Sequence, residues 1–399
     1  MWKGTYMKTI GIIAEYNPFH AGHAHHIRET RRLAGGECAV VCVMSGNYVQ
    51  RGDFAVFEKH ARAKAAVYGG ADLVLELPSP YALLSAEGFA LAGVSLLESL
   101  GVCGSISFGS ESGDSAALAR AAEAIVSPEA EATLREWLDR GYPYALAQQK
   151  AARAVLGVEA DVFRSPNNLL GIEYLKAIGA TGSTMQPMTV KRAGGEHDGR
   201  TGWSASAIRE HLAAGRGTDG LCPIYKEETE AGRGPVSVQT YELAILSRLR
   251  RLDDLSNLPG ISEGLDSRFL KHIASEATVA GILNKVKTKR YAMSRLRRTL
   301  ICACLGITAD DTSEPPPYIR VLAMNGAGAG LLREIAKSAR LPVITKPASA
   351  KKLAGRAGDL FRKEAAATDF YVLGYSEAQM RAGGREWRIS PAVCSGPLQ

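Results

Sequence analysis

Residues 39–44 read AVVCVM, an apolar run with no polar interruption. A strand wetted on one face alternates apolar and polar residues. An unbroken run fits a strand covered on both faces, as in a parallel sheet flanked by helices. Neighbouring segments repeat the theme. Thr9–Ala14, Leu73–Leu77 and Ser105–Phe108 read as strands, with helical patterns over 20–34, 58–68 and 86–100 among them. Further helices are expected over 114–126, 129–140 and 143–156, then a strand at Met188–Lys191 and a helix at Ser206–Ala214. This alternation predicts an α/β fold, a Rossmann-like open parallel sheet over residues 1–215 with helices on both faces. Ligands of such sheets sit beyond the carboxyl ends of the strands.

The glycine-rich 213–220 and the polar, acidic Lys226–Gly234 predict a boundary. Beyond it, residues 216–399 read as a basic, mainly helical region, with helices such as Tyr241–Leu252 and Tyr291–Leu305. A small α/β portion follows the EPPP break at Glu314–Pro317, with strands Ile319–Ala323 and Val343–Thr345 around a helix at Leu331–Arg340. The NGAGAG run at 325–330 is not G-x-G-x-x-G and is expected to be a turn before that helix. Charge divides the same way. Residues 1–215 carry 20 Lys/Arg against 22 Asp/Glu, net −2, and residues 216–399 carry 28 against 19, net +9. A near-neutral half joined to a basic half suggests a catalytic part and a part that meets a polyanion. Within the latter, Lys285–Arg298 holds seven Lys/Arg and no acid, with Tyr291 as a candidate to stack on a base.

Other classes are excluded. With 46% apolar and 22% charged residues the chain is neither disordered nor fibrous. No apolar run approaches the roughly 20 residues that span a bilayer, so no membrane partner is expected. Met1–Tyr6 reads as a short polar extension, not a secretory signal. The seven cysteines form no C-x-x-C pair, so a disulfide framework or structural zinc is not expected and a reducing cytoplasm fits.

Chemistry concentrates in Gly11–His26, GIIAEYNPFHAGHAHH, where four of the eight histidines fall at 20, 23, 25 and 26. A strand enters a Pro-containing turn, and H-x-G-H opens a helix. The helix start offers unpaired N–H groups and a positive dipole end, which suits a triphosphate. Gly22 lets the backbone come close. His20 and His23, three residues apart, face the same way and can donate to phosphate oxygens. No G-x-x-x-x-G-K-[ST] loop is present. A metal site is the rival reading, but no Cys or carboxylate completes a ligand set at usual spacing. His25 and His26 read as helix surface. Lys59 and Arg62 fit either a solvated helix face or a contact with phosphate or nucleic acid.

A strand followed by H-x-G-H resembles the HIGH-type nucleotidyltransferase superfamily, whose second phosphate motif is matched by Ser204–Arg209, SASAIR. The resemblance is closer still to the bacterial tRNA(Met) cytidine acetate ligase family. It is carried by EYNPFHAGH, MSGNYVQRGDFAVFEKHARAKAA (44–66), DLVLELP (72–78), FGSESGD (108–114), SPNNLLGIEYLKA (165–177), VKR (190–192), SASAIR and PYIRVLA (317–323). Ala21 between His20 and Gly22 is a small departure from the family pattern.

That resemblance implies ATP-dependent N4-acetylation of the wobble cytidine of elongator tRNA(Met), with free acetate, ATP as co-substrate and Mg²⁺ on its phosphates. It carries the ATP-binding loop onto Ile13–His26: Ile13, Ala14, Glu15, Tyr16, Asn17, Pro18, Phe19, His20, Gly22, His23 and His26. It adds Gly109, Asn167, Arg192 and Ser206 as nucleotide contacts, and His20, His23 and Arg209 as the catalytic set. The oligomeric state is not legible. Two alternatives stand beside it. One is another H-x-G-H enzyme acting on a small molecule, such as a pantothenate synthetase-like acid–amine ligase or an adenylyltransferase. The other is a non-catalytic RNA-binding protein that retains a nucleotide fold.

Overall fold

The computed structural model describes residues 8–142, 144–192, 204–262 and 264–395. The N-terminal extension at Met1–Tyr6 and residues 201–203, just before the second phosphate motif, lie outside these. The strands are β1 (Thr9–Ala14), β2 (Ala39–Ser45), β3 (Tyr48–Val49), β4 (Asp53–Phe54), β5 (Leu73–Leu77), β6 (Ser105–Ser110), β7 (Gln186–Lys191), β8 (Ile319–Met324), β9 (Val343–Ile344) and β10 (Ala392–Val393). Seven of them run β10-β8-β5-β2-β1-β6-β7 across one sheet, β9 pairs with β8, and β3–β4 form a separate hairpin. The α/β sheet is mostly parallel, as expected; β5–β8 is its antiparallel pair.

The doubly covered strand explains itself in the packing. Val41 and Val43 of β2 join Ile13 and Leu75 in one apolar cluster. Val40, Cys42 and Met44 join Ile10 and Ile12 in another on the opposite face. The first cluster is closed by α3 (Ala86–Ser99) and α4 (Pro166–Thr181), the second by α1 (Ala21–Leu33) and α2 (Lys59–Tyr68). Most expected helices and strands form within one to three residues of their predicted limits.

From β1 the chain steps outward through β2 to β5, then returns to the other side of β1 for β6 and β7. The direction therefore reverses beside β1, and a crevice opens there at the carboxyl ends of the strands. The loops after β1, β2 and β6, and Arg192 just past β7, lead into it.

The C-terminal half forms a third cluster, built from Tyr241, Ile245, Phe269, Ile282, Leu296 and Leu300 with Tyr48 and Phe54 of the β3–β4 hairpin. It also returns strands to the main sheet, because β8 lies against β5 with Val74 opposite Ala323. The polar segment 226–234 is largely the helix Pro223–Glu230, whose Tyr225 is fully buried against Phe57. Two local expectations are corrected here. The NGAGAG run is the first turn of a helix, Gly326–Ser338, not a turn before it. Asn325 caps that helix on the Gly328 N–H, and a Cβ on Gly328 would meet the Asp72 carbonyl oxygen at 2.0 Å. Tyr291 is buried in the helical cluster with Arg295 over its ring, so it presents no free face to a base.

Lys59 and Arg62 are also corrected, since both are fully buried. Lys59 Nζ lies 2.5 Å from Glu76, 3.0 Å from Glu364 and 2.8 Å from Glu386. Arg320 pairs with Glu76 and Glu386 on the other side. Burial, then the neighbouring Glu364, raises Glu76 against the Lys59 and Arg320 charges; burial raises Glu364 too, but there the Lys59 charge, the Glu76 hydrogen bond and the Ser79 amide outweigh it and hold the carboxyl below the usual range. Arg62 spends its guanidinium on backbone carbonyls, donating to Phe57 at 2.8 Å, Glu15 at 2.6 Å, Ser45 at 3.1 Å and also Gly46. It ties the exits of β1 and β2 together.

Candidate active site

β1 ends at Ala14, and the next residues turn sharply to start α1. Tyr16 adopts φ +48°, the left-handed region that a bulky residue enters only when its surroundings enforce it. Those surroundings are visible. Its ring packs edge-on to Phe19 at 5.0 Å and against His23 at 4.8 Å, and its hydroxyl meets the Cys42 sulfur at 3.3 Å. The Asn17–Pro18 peptide is cis. Asn17 Oδ1 accepts the Val56 N–H at 2.8 Å, and the Phe19 N–H donates to the Tyr225 hydroxyl at 2.9 Å. The loop is therefore pinned from α2's side and from the C-terminal half.

His20 caps α1. Its Nδ1 accepts the Gly22 N–H at 3.0 Å, and His23 Nδ1 accepts the His20 N–H at 3.3 Å. This is a capping box made from two imidazoles. A ring whose Nδ1 accepts a hydrogen bond carries its proton on Nε2 when neutral. The same bonds thus set both tautomers and leave two Nε2–H donors on the far sides of the rings. Both rings are neutral at pH 7. Burial, then the Arg192 and Arg209 charges, lower His20 to about 4. Burial and the neighbouring His20 and His26 push His23 well down. Gly22 is required here, because a Cβ would meet the His20 ring at 2.8 Å.

His26 is not helix surface. Its Nε2 lies 3.1 Å from Ser107 Oγ on β6, which also bonds Thr30 at 2.7 Å. Burial and Arg192 lower it to about 4. His26 thus locks α1 onto the sheet.

The other predicted residues gather on the same crevice. Gly109 lies near the end of β6, where a Cβ would touch the Arg192 side chain at 3.4 Å. Arg192 follows β7 and reaches Asn167 Oδ1 at 3.5 Å. Asn167 donates its amide to Glu111 at 2.5 Å, and Glu111 also accepts the Asn168 N–H at 3.1 Å. Arg209, on α5 (Ala205–Ala213), donates to the Asn17 carbonyl at 2.8 Å and to Ser206 Oγ at 3.0 Å. Ser204 caps α5 on the Ala207 N–H, so Ser206 is the serine in contact with Arg209. The half-buried Glu15 carboxyl is raised by burial, an effect opposed by Arg51, Arg209 and the N–H groups of Gln50 and Arg51. Ile13 and Pro18 are buried and shape the loop, and do not face outward.

Sequence reasoning missed Tyr225, the structural role of Arg62 on backbone carbonyls, and the Glu111–Asn168 clasp. The doublet Asn167–Asn168 hinted at the last. Nothing local marked Tyr225, whose partner is 206 residues away. Among the described residues, no group of three or more His, Cys, Asp or Glu converges as a metal site would. None of the seven cysteines is in a disulfide.

This is a crevice of neutral imidazole N–H donors and guanidinium groups at a helix start, which suits the phosphates of a nucleotide. The sequence profile described as HIGH Nucleotidyl Transferase matches residues 7–386. A tRNA(Met) cytidine acetate ligase of Acetivibrio thermocellus is 36% identical, over 96% of this chain and 98% of its own length. One from Thermoanaerobacter sp. is 37% identical, over 94% and 97%. The chain belongs to the tRNA(Met) cytidine acetate ligase family of HIGH nucleotidyltransferases. A solved structure of a family member, Thermotoga maritima TmcAL bound with alpha-thio ATP, superposes with a TM-score of 0.89 at 31% identity, covering 97% of this chain and 99% of that one. The family's fold is thus the fold described above, and no helix among the described residues is long and apolar enough to cross a membrane.

Proposed function

We propose that this protein is an ATP-dependent acetate ligase that forms N4-acetylcytidine in elongator tRNA(Met) through acetyl-adenylate. The observation that carries the reading is the reciprocal His20–His23 box at the sheet's reversal point, with Arg192 and Arg209 beside it. Names of the relatives supply the acyl donor and the acceptor; the chemistry supplies the order of steps.

Acetate is a poor acylating agent because its leaving group would be oxide. Its carboxylate oxygen attacks the α-phosphorus of ATP, and pyrophosphate leaves. The Nε2–H groups of His20 and His23 and the Arg209 guanidinium stabilise the charge that builds on the phosphates. Loop residues Ile13–His26, with Gly109, Asn167, Arg192 and Ser206, hold the nucleotide. Mg²⁺ carried in on the triphosphate would supply charge neutralisation at the phosphates, beside the donors of His20, His23 and Arg209. The cytidine N4 amine then attacks the acetyl carbonyl carbon, and AMP leaves. That amine is a weak nucleophile because its lone pair is delocalised into the ring, so positioning supplies much of the rate. A base splayed from an anticodon loop suits such a pocket.

The division of labour follows the charge. Residues 1–215 bind ATP and residues 216–399 bind tRNA, chiefly through exposed cations such as Lys285, Lys289 and Arg297. The test is incubation with ATP, Mg²⁺, labelled acetate and bulk bacterial tRNA, followed by digestion to nucleosides. Label in N4-acetylcytidine is the expected result. Acetate-driven pyrophosphate release without labelled RNA would reopen the acceptor. Neither signal from folded protein would favour a nucleotide-fold RNA-binding protein.

A further inference from the structure

Arg192 is exposed, and a long cation at a surface has many rotamers to lose when it takes up a phosphate. Its place is nevertheless set at both ends. Its backbone N–H donates to the Ser110 carbonyl at 2.9 Å, and its stem passes over Gly109, where a Cβ would meet Cγ at 3.4 Å. Its head donates from Nη1 to Asn167 Oδ1 at 3.5 Å. The Asn167 amide is held in turn, because Nδ2 donates to Glu111 Oε1 at 2.5 Å. Glu111 directly follows Ser110, so the contacts close a circuit from Ser110 through Glu111, Asn167 and Arg192 back to Ser110.

Glu111 has a firm seat. Its Oε2 accepts the Asn168 N–H at 3.1 Å, and its own N–H donates to Asn168 Oδ1 at 3.0 Å. Asn168 is buried in the first turn of α4, whose Tyr174 hydroxyl reaches the Ile13 carbonyl of β1 at 3.5 Å. The circuit also stands on the crevice. β6 pairs with β1 in the register Ile12–Ser107, and His26 of α1 bonds the same Ser107 at 3.1 Å. Two residues further on, β1 ends at Ala14 and β6 reaches Gly109. Glu111 and Arg192 therefore flank the start of α1 that carries His20 and His23, and the Arg192 charge is felt at both imidazoles.

The circuit has one polarity. A carboxylate whose two oxygens both accept offers no donor, and a guanidinium offers no acceptor. The amide between them has one end of each kind, so only one orientation serves, with its NH₂ on Glu111 and its oxygen on Arg192. Turned over, it would set oxygen against oxygen and N–H against N–H. Glu111 thus selects the face that Asn167 shows to Arg192. Nε and Nη2 of Arg192 have no partner among the described residues, which leaves them for an anion.

We propose that Glu111 is a positioning residue for the nucleotide: through the Asn167 amide it aims the Arg192 guanidinium at the phosphates before ATP arrives. This rests on the ATP-dependent ligase reading above, in which Arg192 is a nucleotide contact.

The test measures the ATP Kd by calorimetry with Mg²⁺, and the acetate KM of ATP–pyrophosphate exchange, in full-length wild type, Arg192→Ala, Glu111→Gln and the double variant. Arg192→Ala weakens ATP binding about ten- to a hundredfold, the loss of one charge-assisted bond. Glu111→Gln cannot accept at both ends of its side chain, so Arg192 is released, and ATP binding weakens about three- to tenfold, the ordering of one side chain. Added to Arg192→Ala, Glu111→Gln costs less than about twofold more, because the residue it positions is gone. The acetate KM stays at the wild-type value throughout. Losses that multiply in the double variant would overturn the assignment, as would ATP binding unchanged in either single variant. A matching rise in the acetate KM would mark Glu111 as a general support of the fold and overturn it too. Glu111→Asp, too short to hold both donors, repeats the cycle if the Gln variant does not fold. Wild type that binds no ATP would sink the ligase reading together with this assignment. Wild type that binds ATP, beside variants without the coupling, would sink the assignment alone.

Discussion

Replacing His20 by Asn separates two things that His20 does. Asn is a good N-cap and keeps a side-chain oxygen for the Gly22 N–H, but it takes up no proton. In the unfolded chain His20 titrates near its ordinary value of about 6.5. In the folded protein burial and the Arg192 and Arg209 charges bring it to about 4. The unfolded state therefore binds the proton first as the pH falls, and the folded state loses stability from about pH 6.5 down to about pH 4. At about 1.4 kcal/mol per unit this comes to about 3 kcal/mol, or nearer 2 after discounting for the partial exposure of the ring. Urea unfolding of wild type and His20→Asn at pH 7, 6, 5 and 4 isolates the effect, because every other group titrates in both. At pH 7 the two differ by under about 1 kcal/mol. By pH 4 the variant gains about 2–3 kcal/mol relative to wild type. A difference that stays constant with pH would refute both the neutral imidazole and the capping geometry that selects its tautomer.

Three further outcomes are expected. Lys59→Met leaves three buried carboxylates facing Arg320 alone, which should cost about 3–5 kcal/mol in urea unfolding, and a loss below about 1 kcal/mol would contradict the buried network. In the same variant the salt dependence of tRNA binding stays as in wild type, since Lys59 is buried. Neutralising Lys285, Lys289 and Arg297 together should lower the slope of log affinity against log salt by roughly two to three, and an unchanged slope would remove that surface from the RNA contact.

The contrast between what the sequence discloses and what it hides is physical. Strands β1, β2 and β5 were legible because burial on both faces leaves a compositional mark that needs no partner to read. The crevice was legible because its parts follow strand ends and carry unusual residues, His20, His23 and Gly22 above all. Lys59 and Arg62 were not. A charged residue on a helix reads as solvated unless its partners are known, and those of Lys59, namely Glu76, Glu364 and Glu386, are all remote in the chain. Tyr291 misled for the mirror reason, since an aromatic ring among cations looks like a base platform until the packing around it is seen. His26 shows a third limit. Whether the fourth histidine of a cluster faces solvent or sheet depends on the rotation of α1, which only its contact with Ser107 fixes.

The antiparallel seat of β8 against β5 bears on how this protein is made. During synthesis, β5 leaves the ribosome some 240 residues before the strand that covers its edge. Until then an apolar edge, LVLEL, is unpaired, and Lys59 and Glu76 wait for Glu364 and Glu386. An open apolar edge is a template for strand addition by another chain. The nascent chain therefore passes through a long interval in which its nucleotide half has most of its local pairings but not its border. Contacts this distant in sequence slow folding, which lengthens the time for which that edge stays open to other chains.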